Sequence, residues 1–250
     1  MSYIKAENLM KVYGQGEAAV TALRGVSFGL ESGDFISIMG ESGSGKSTML
    51  SIMGALNTPS SGKFLVEDID VYGLKQEQRA DFRREFVGFI FQSFNLIPYL
   101  TVVENVMLPL TTLNIKSSQK RALALDALGR VGLSKKADRL PSQISGGEQE
   151  RVAIARAIVN QPPMLLADEP TGNLDSKTGA EIMDLLRQLN EQGMTVIMVT
   201  HNIECARYAR RLLRMTDGMM HEENPVNLIA QAECPAGRVG AALMPAGGVA

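Results

Sequence analysis

At 250 residues the chain has room for one large domain, or a domain with a subdomain, around a sizeable buried core. Hydrophobic residues make up 45% and charged residues 21%, and a formal net charge of −2 supplies no global basic field for nucleic acid or an acidic membrane surface. No uncharged apolar run approaches the roughly 20 residues of a membrane helix, the first residues lack a secretory apolar core, and Cys205 and Cys234 lack metal-ligand spacing.

The chain is therefore expected to stay in the cytoplasm and to owe any membrane role to a partner. Its first 30 or so residues, and the stretch 62–71, alternate apolar with polar (Phe64 and Val66 against Lys63 and Glu67), the pattern of an antiparallel strand layer. Residues 35–39 (FISIM), 164–167 (MLLA) and 195–200 (TVIMVT) are compact apolar runs, as strands buried on both faces of a parallel sheet require. Helical patterns over 47–56, 148–159 and 177–192 lie between them. Strand, loop and helix repeated in this way predict an α/β fold. From about 79 to 140 the pattern is mostly helical with charges on one face, which predicts a helical insertion between two core strands and a helical subdomain over about 79–160. Residues 1–223 form the expected domain; 224–250, rich in Ala, Gly and Pro, are expected to be a flexible tail without chemistry. The 14 methionines, scattered along the chain, read as core filler.

Residues 40–47, GESGSGKS, follow the first apolar strand and open a helix, matching the Walker A pattern in spacing and context. Gly40, Gly43 and Gly45, with Ser42 and Ser44 between them, let backbone N–H groups turn inward as an anion nest, and the helix beginning near Lys46, Ser47 and Thr48 adds its unpaired N–H groups and positive dipole end. Lys46 places a compact charge on the β- and γ-phosphates, and Ser47 offers a hydroxyl to Mg²⁺. A nucleoside triphosphate is the expected ligand.

The strand at 164–167 runs into Asp168 and Glu169 at the end where α/β sheets bind ligands. This resembles Walker B: Asp168 would hold Mg²⁺, and Glu169 would act as general base on the water attacking the γ-phosphate. His201 follows the strand at 195–200 at the same sheet edge and is expected to reach the γ-phosphate, whereas His221 has no such company and reads as a surface residue.

Residues 145–151, SGGEQER, precede this strand by about twenty positions. Ser145 is placed to cap a helix, and a capped, glycine-lined helix tip at Gly146 and Gly147 is a second anion site. With these motifs in this order, the chain resembles the ATP-binding-cassette (ABC) ATPases, whose LSGGQ signature the fragment matches with Ile144 in place of Leu, Glu148 in place of Gln, and Glu150 where Gln or Arg is usual. The resemblance covers residues 2 to 220 and implies a P-loop NTPase core with a mainly parallel sheet, an antiparallel β layer and a helical subdomain. It implies an active ATPase using ATP and Mg²⁺, in which the signature of one subunit closes over ATP held by the phosphate loop of another, making a two-fold homodimer around two nucleotides. It further implies that Gln92 touches Mg²⁺, that Asp175 belongs to the loop linking the two sites, and that Tyr13 stacks on adenine. Residues 88–105 and 167–176 look like the branch serving lipoprotein release, macrolide export, peptide-antibiotic resistance and cell division. Members work at the cytoplasmic face of the inner membrane with integral-membrane permeases that carry a large extracytoplasmic domain. Two other readings compete. A soluble ABC ATPase for cofactor or complex assembly would purify without a membrane partner; a nucleotide kinase or GTPase would not dimerise around ATP.

Overall fold

The computed structural model describes residues 2–223, so the expected tail at 224–250 and Cys234 lie outside the described residues. Two sheets make the frame. A four-stranded antiparallel layer, in the order β2-β1-β4-β5, is built from β1 (Ile4–Tyr13), β2 (Val20–Leu30), β4 (Ser61–Val66) and β5 (Ile69–Asp70). The second sheet, in the order β10-β9-β3-β8-β7-β6, contains β3 (Phe35–Met39), β6 (Val87–Ile90), β7 (Met164–Asp168), β8 (Thr195–Thr200), β9 (Arg211–Thr216) and β10 (Met219–Glu223). All its neighbours run parallel except β10, which returns as a hairpin on β9.

Strands β3, β7 and β8 are mostly apolar because each divides its side chains between two cores. Leu165, Ala167, Val196 and Met198 enter the core shared with the helical lobe. Met164, Leu166, Ile197, Val199, Ile36 and Ile38 enter the core shared with the antiparallel layer, where Ile4, Leu9, Leu23 and Phe64 meet them. A period-2 element buried on both faces has no solvent-facing phase for a regular polar alternation. Burying each such side chain stabilises the fold by about 1.5–3 kcal/mol.

Helix α1 (Lys46–Met53) follows β3, and α2 (Gln76–Phe86) leads into β6. The helical lobe comprises α3 (Val102–Met107), α4 (Ser117–Arg130) and α5 (Gly146–Ile158), closed by Val102, Val103, Val106, Leu128, Ile154 and Ile158. Helices α6 (Ser176–Glu191) and α7 (Ile203–Ala206) complete the chain order. One strand interrupts the stretch expected to be mostly helical. β6 has four residues, too few to show a period, and Gly88 within it allows α5 to approach: a Cβ there would sit 2.5 Å from the Ala157 carbonyl.

The order β3-β8-β7-β6 has a consequence for chemistry. The loops after these strands all open on one sheet edge, so residues 40–45, 92, 168–169 and 201 become neighbours despite their separation in sequence.

Candidate functional site

The phosphate loop is built around two close approaches. Gly45 has φ of 104°, and a Cβ on it would meet the Ala22 carbonyl at 2.4 Å; one on Gly40 would meet the Met215 carbonyl at 2.2 Å. Only glycine fits either position. Gly45 is also the N-cap of α1 and carries no capping side chain, so the first-turn N–H groups are left to an anion. Lys46 Nζ donates to the carbonyls of Gly40 and Glu41, each at 2.8 Å, bending its charge back across the loop. Ser44 is buried and its hydroxyl finds no partner in the protein.

Ser47 Oγ lies 3.5 Å from Asp168 Oδ1 at the end of β7. Burial pushes the Asp168 carboxyl above its ordinary value, the Glu169 charge adds to this, and Ser47 and Lys46 pull the other way. Among the described residues no group of three or more His, Cys, Asp or Glu can cage a metal. A hydroxyl and one carboxylate beside an anion cradle suit instead an ion that keeps several waters and shares phosphate ligands, as Mg²⁺ does.

Glu169 is held unusually. Its backbone is left-handed, with φ of 49°, and its N–H donates to Val199 O at 2.9 Å across to β8. Oε1 accepts the His201 backbone N–H at 3.1 Å and stands 2.7 Å from His201 Nδ1, while Oε2 accepts the Thr200 hydroxyl at 3.2 Å. The carboxylate is 12% exposed and the imidazole 71%. A neutral imidazole has one N–H, so it cannot donate to Glu169 and to a phosphate together. Whatever the ring nitrogen does, Glu169 keeps the Thr200 hydroxyl and the His201 backbone N–H.

These groups line one cleft of about 640 Å³, formed by the loop residues Glu41, Ser42, Gly43 and Gly45, by Lys46, Ser47 and Thr48, and by Ala22, Gln92, Asp168, Glu169 and His201. Gln92 is exposed at its rim, and its carbonyl accepts from Asn173 Nδ2 at 2.7 Å. Tyr13 closes β1 beside α1: its hydroxyl is 3.5 Å from Thr48 Oγ1 and accepts from Asn57 Nδ2 at 2.5 Å, leaving the ring 41% exposed.

Ser145, Gly146 and Gly147 do not line this cleft. Ser145 caps α5 in a reciprocal box, its Oγ accepting from Glu148 N at 3.3 Å while Glu148 Oε2 accepts from Ser145 N at 3.0 Å. Asp175 likewise caps α6, accepting from Lys177 N at 3.1 Å, Thr178 N at 3.0 Å and Thr178 Oγ1 at 2.6 Å. The Asp175 carboxylate is spent on its own helix. Sequence reasoning passed over Thr200, which orients Glu169, although its place beside His201 at a strand end was a usable signal. It also passed over Ala22, whose carbonyl walls the loop, for which nothing local gives a sign.

Residues 23–172 match the ABC transporter family. The chain is 47% identical over 225 residues to the ABC transporter ATP-binding protein MJ0796 of Methanocaldococcus jannaschii, covering 88% of this chain and 96% of that one. It is 46% identical over 229 residues to the macrolide export ATP-binding/permease protein MacB of Syntrophobacter fumaroxidans, covering 90% of this chain but 32% of MacB. The dimeric post-hydrolysis structure of MJ0796 bound to ADP and Pi superposes with a TM-score of 0.81 at 46% identity, over 89% of this chain and 98% of that one. CbiO1 of Clostridium perfringens, part of the cbiONQ ABC transporter complex, gives a TM-score of 0.81 at 28% identity, over 93% and 92%.

Proposed function

The chain belongs to the ABC transporter family as an ATP-binding, ATP-hydrolysing subunit, and on that premise we propose that two copies close around two ATP molecules to drive a separate membrane permease. One observation carries the dimer. The phosphate loop, the Asp168–Glu169 pair and His201 share one cleft, while the second anion-seeking helix tip, at Ser145, stands away from it in the same chain. A second copy supplies that tip to the first cleft and receives one in return, an isologous arrangement. MJ0796, a relative matched over nearly its whole length, is a dimer in its solved structure.

Within each cleft the backbone N–H groups of the phosphate loop and of the first turn of α1 bind the phosphates, with Lys46 on the β- and γ-groups. Ser47, Asp168 and Gln92 would hold Mg²⁺, which supplies neutralisation of phosphate charge. Glu169 takes the proton of the attacking water, His201 donates to the γ-phosphate and yields its contact with Glu169, and Tyr13 stacks on the base. Thermodynamically the closure is driven by binding that both copies share, and the departure of phosphate reopens it.

No helix among the described residues is long and apolar enough to cross a membrane. The chain spans about a third of the MacB length, so it corresponds to the ATP-binding part of a larger machine. We assign it a permease with an extracytoplasmic domain, working at the cytoplasmic face of the inner membrane in export, lipoprotein or lipid extraction, or mechanical signalling. Residues 1–223 would form the ATPase unit, with the insertion around 79–160 facing the permease.

Glu169→Gln tests the core of the reading. Turnover is expected to fall by roughly 10²–10⁴, and sedimentation with ATP should show a dimer that reverts to monomer without nucleotide. A variant that stays monomeric with ATP bound, yet retains its cooperative thermal unfolding, sinks the shared-site proposal.

A further inference from the structure

Just past Gln92, the consecutive residues Phe94 and Asn95 have φ of 56° and 50°, a left-handed pair in which the phenylalanine in particular is disfavoured. Such backbone persists only where its surroundings hold it. The loop's own contribution is a pair of tight turns, Phe94 N–H to Phe91 O at 3.1 Å and Asn95 N–H to Ser93 O at 2.5 Å. The contact from outside is Arg156 on α5. Its Nη2 donates to Phe94 O at 2.6 Å and its Nη1 to Asn95 O at 2.5 Å, so one planar guanidinium grips two successive carbonyls of the left-handed pair. On the other side Asn173 donates to the Gln92 carbonyl itself. The segment carrying Gln92 is thus held from the helix that begins at Ser145 and from the turn that ends at Asp175.

We propose that Arg156 is a positioning residue of the ATPase: by tying the carbonyls of Phe94 and Asn95 to α5, it sets the Gln92 side chain in the phosphate cleft. The proposal rests on Gln92 acting in that cleft, as read above. Arg156 is not among the residues lining it, so its route to the cleft is the segment that carries Gln92. A lysine keeps the charge and the aliphatic stem but presents a single point donor, so it cannot hold both carbonyls in one plane.

The test compares Arg156→Lys, Arg156→Ala and Gln92→Ala by ATPase kinetics and by amide exchange over residues 92–96. Arg156→Lys is expected to lower kcat by about tenfold with KM for ATP changed less than about twofold, the signature of a group acting in the transition state and not in ground-state binding. Exchange over 92–96 should rise while the rest of α5 stays protected. Adding Phe94→Gly, which relieves the left-handed strain, should restore part of the lost turnover; loss of general packing has no reason to be repaired by a glycine. Arg156→Lys carries the decision if Arg156→Ala does not fold. Unchanged kcat and unchanged exchange in folded Arg156→Lys, with Gln92→Ala slow, overturn the clamp and leave the reading of Gln92 standing. Full turnover in Gln92→Ala overturns both.

Discussion

Two carboxyls among the described residues are pushed upward by burial, and their surroundings differ. Asp168 has Lys46 and Ser47 beside it and a phosphate cradle in front, so on the proposed function a cation arriving with ATP would offset the cost of its burial. Glu150 has no such relief. It is 1% exposed within the helical lobe, its Oε1 lacks any partner, and burial pushes its carboxyl up to about 8 against the pull of Arg156. At neutral pH it is mostly protonated and carries no charge. The sign of the linkage follows. Below the unfolded value both states are protonated and no penalty exists; as pH rises from about 4.5 to about 8 the unfolded chain ionises first, and stability is lost across that window. Above it the loss is on the order of a few kcal/mol. Glu150→Gln, which removes the titration and keeps the shape, is expected to raise the melting temperature at pH 8 and to leave it nearly unchanged at pH 5. Equal shifts at the two values would mean that Glu150 is ionised in the fold.

At the scale of elements, the tips of α5 and α6 abut, and their packing depends on an absent methyl. A Cβ on Gly147 would come within 2.3 Å of Thr178 Cγ2, the end of a side chain whose hydroxyl is held by Asp175. Gly147→Ala is therefore expected to cost about 1–3 kcal/mol by overpacking, which for a domain of this size lowers Tm by several degrees. Thr178→Ser keeps the hydroxyl and removes the offending methyl. The double variant should recover the loss and add alanine's helix preference, a coupling of roughly 1 kcal/mol or more by calorimetry. Additive effects would show that the two tips do not meet. These elements were legible from sequence to different degrees. β3 and β8 have the expected bounds, and α5 and α6 begin and end within two residues of them, because runs buried on both faces and side-chain caps announce themselves locally. β6 was not legible, being four residues with a glycine inside a helical-looking stretch. The phosphate loop, Asp168, Glu169 and His201 were legible as a set because parallel topology fixes which strand ends meet, whereas Gln92 was marked only by the family resemblance. The grip of Arg156 on Asn95 and Phe94, 61 and 62 positions away, depends on tertiary approach, which no local pattern encodes.

On the proposed function the molecule carries two half-sites, the phosphate-loop cleft and the Ser145 tip that does not line it, and this makes a mixing experiment decisive. Take one variant disabled in the phosphate loop, Lys46→Ala, and another disabled at the helix tip, Ser145→Arg. Each is defective alone, because in either homodimer both composite sites contain the fault. In the heterodimer the faults segregate. One site combines two lesions, while the other joins the intact loop of the Ser145→Arg chain to the intact tip of the Lys46→Ala chain. With random pairing at equal concentrations half of the dimers are mixed and half of their sites are whole, so about a quarter of the native activity should return if the sites turn over independently. Strict coupling of the two sites would lower that fraction without abolishing ATP-dependent pairing of the unlike chains, visible by labelling one of them. If loop and tip served the same nucleotide within one chain, mixing would restore nothing and unlike chains would not pair. Activity and pairing together thus read the symmetry of the assembly, and the expected outcome follows from where the strand order puts the cleft and from the capped helix tip at Ser145.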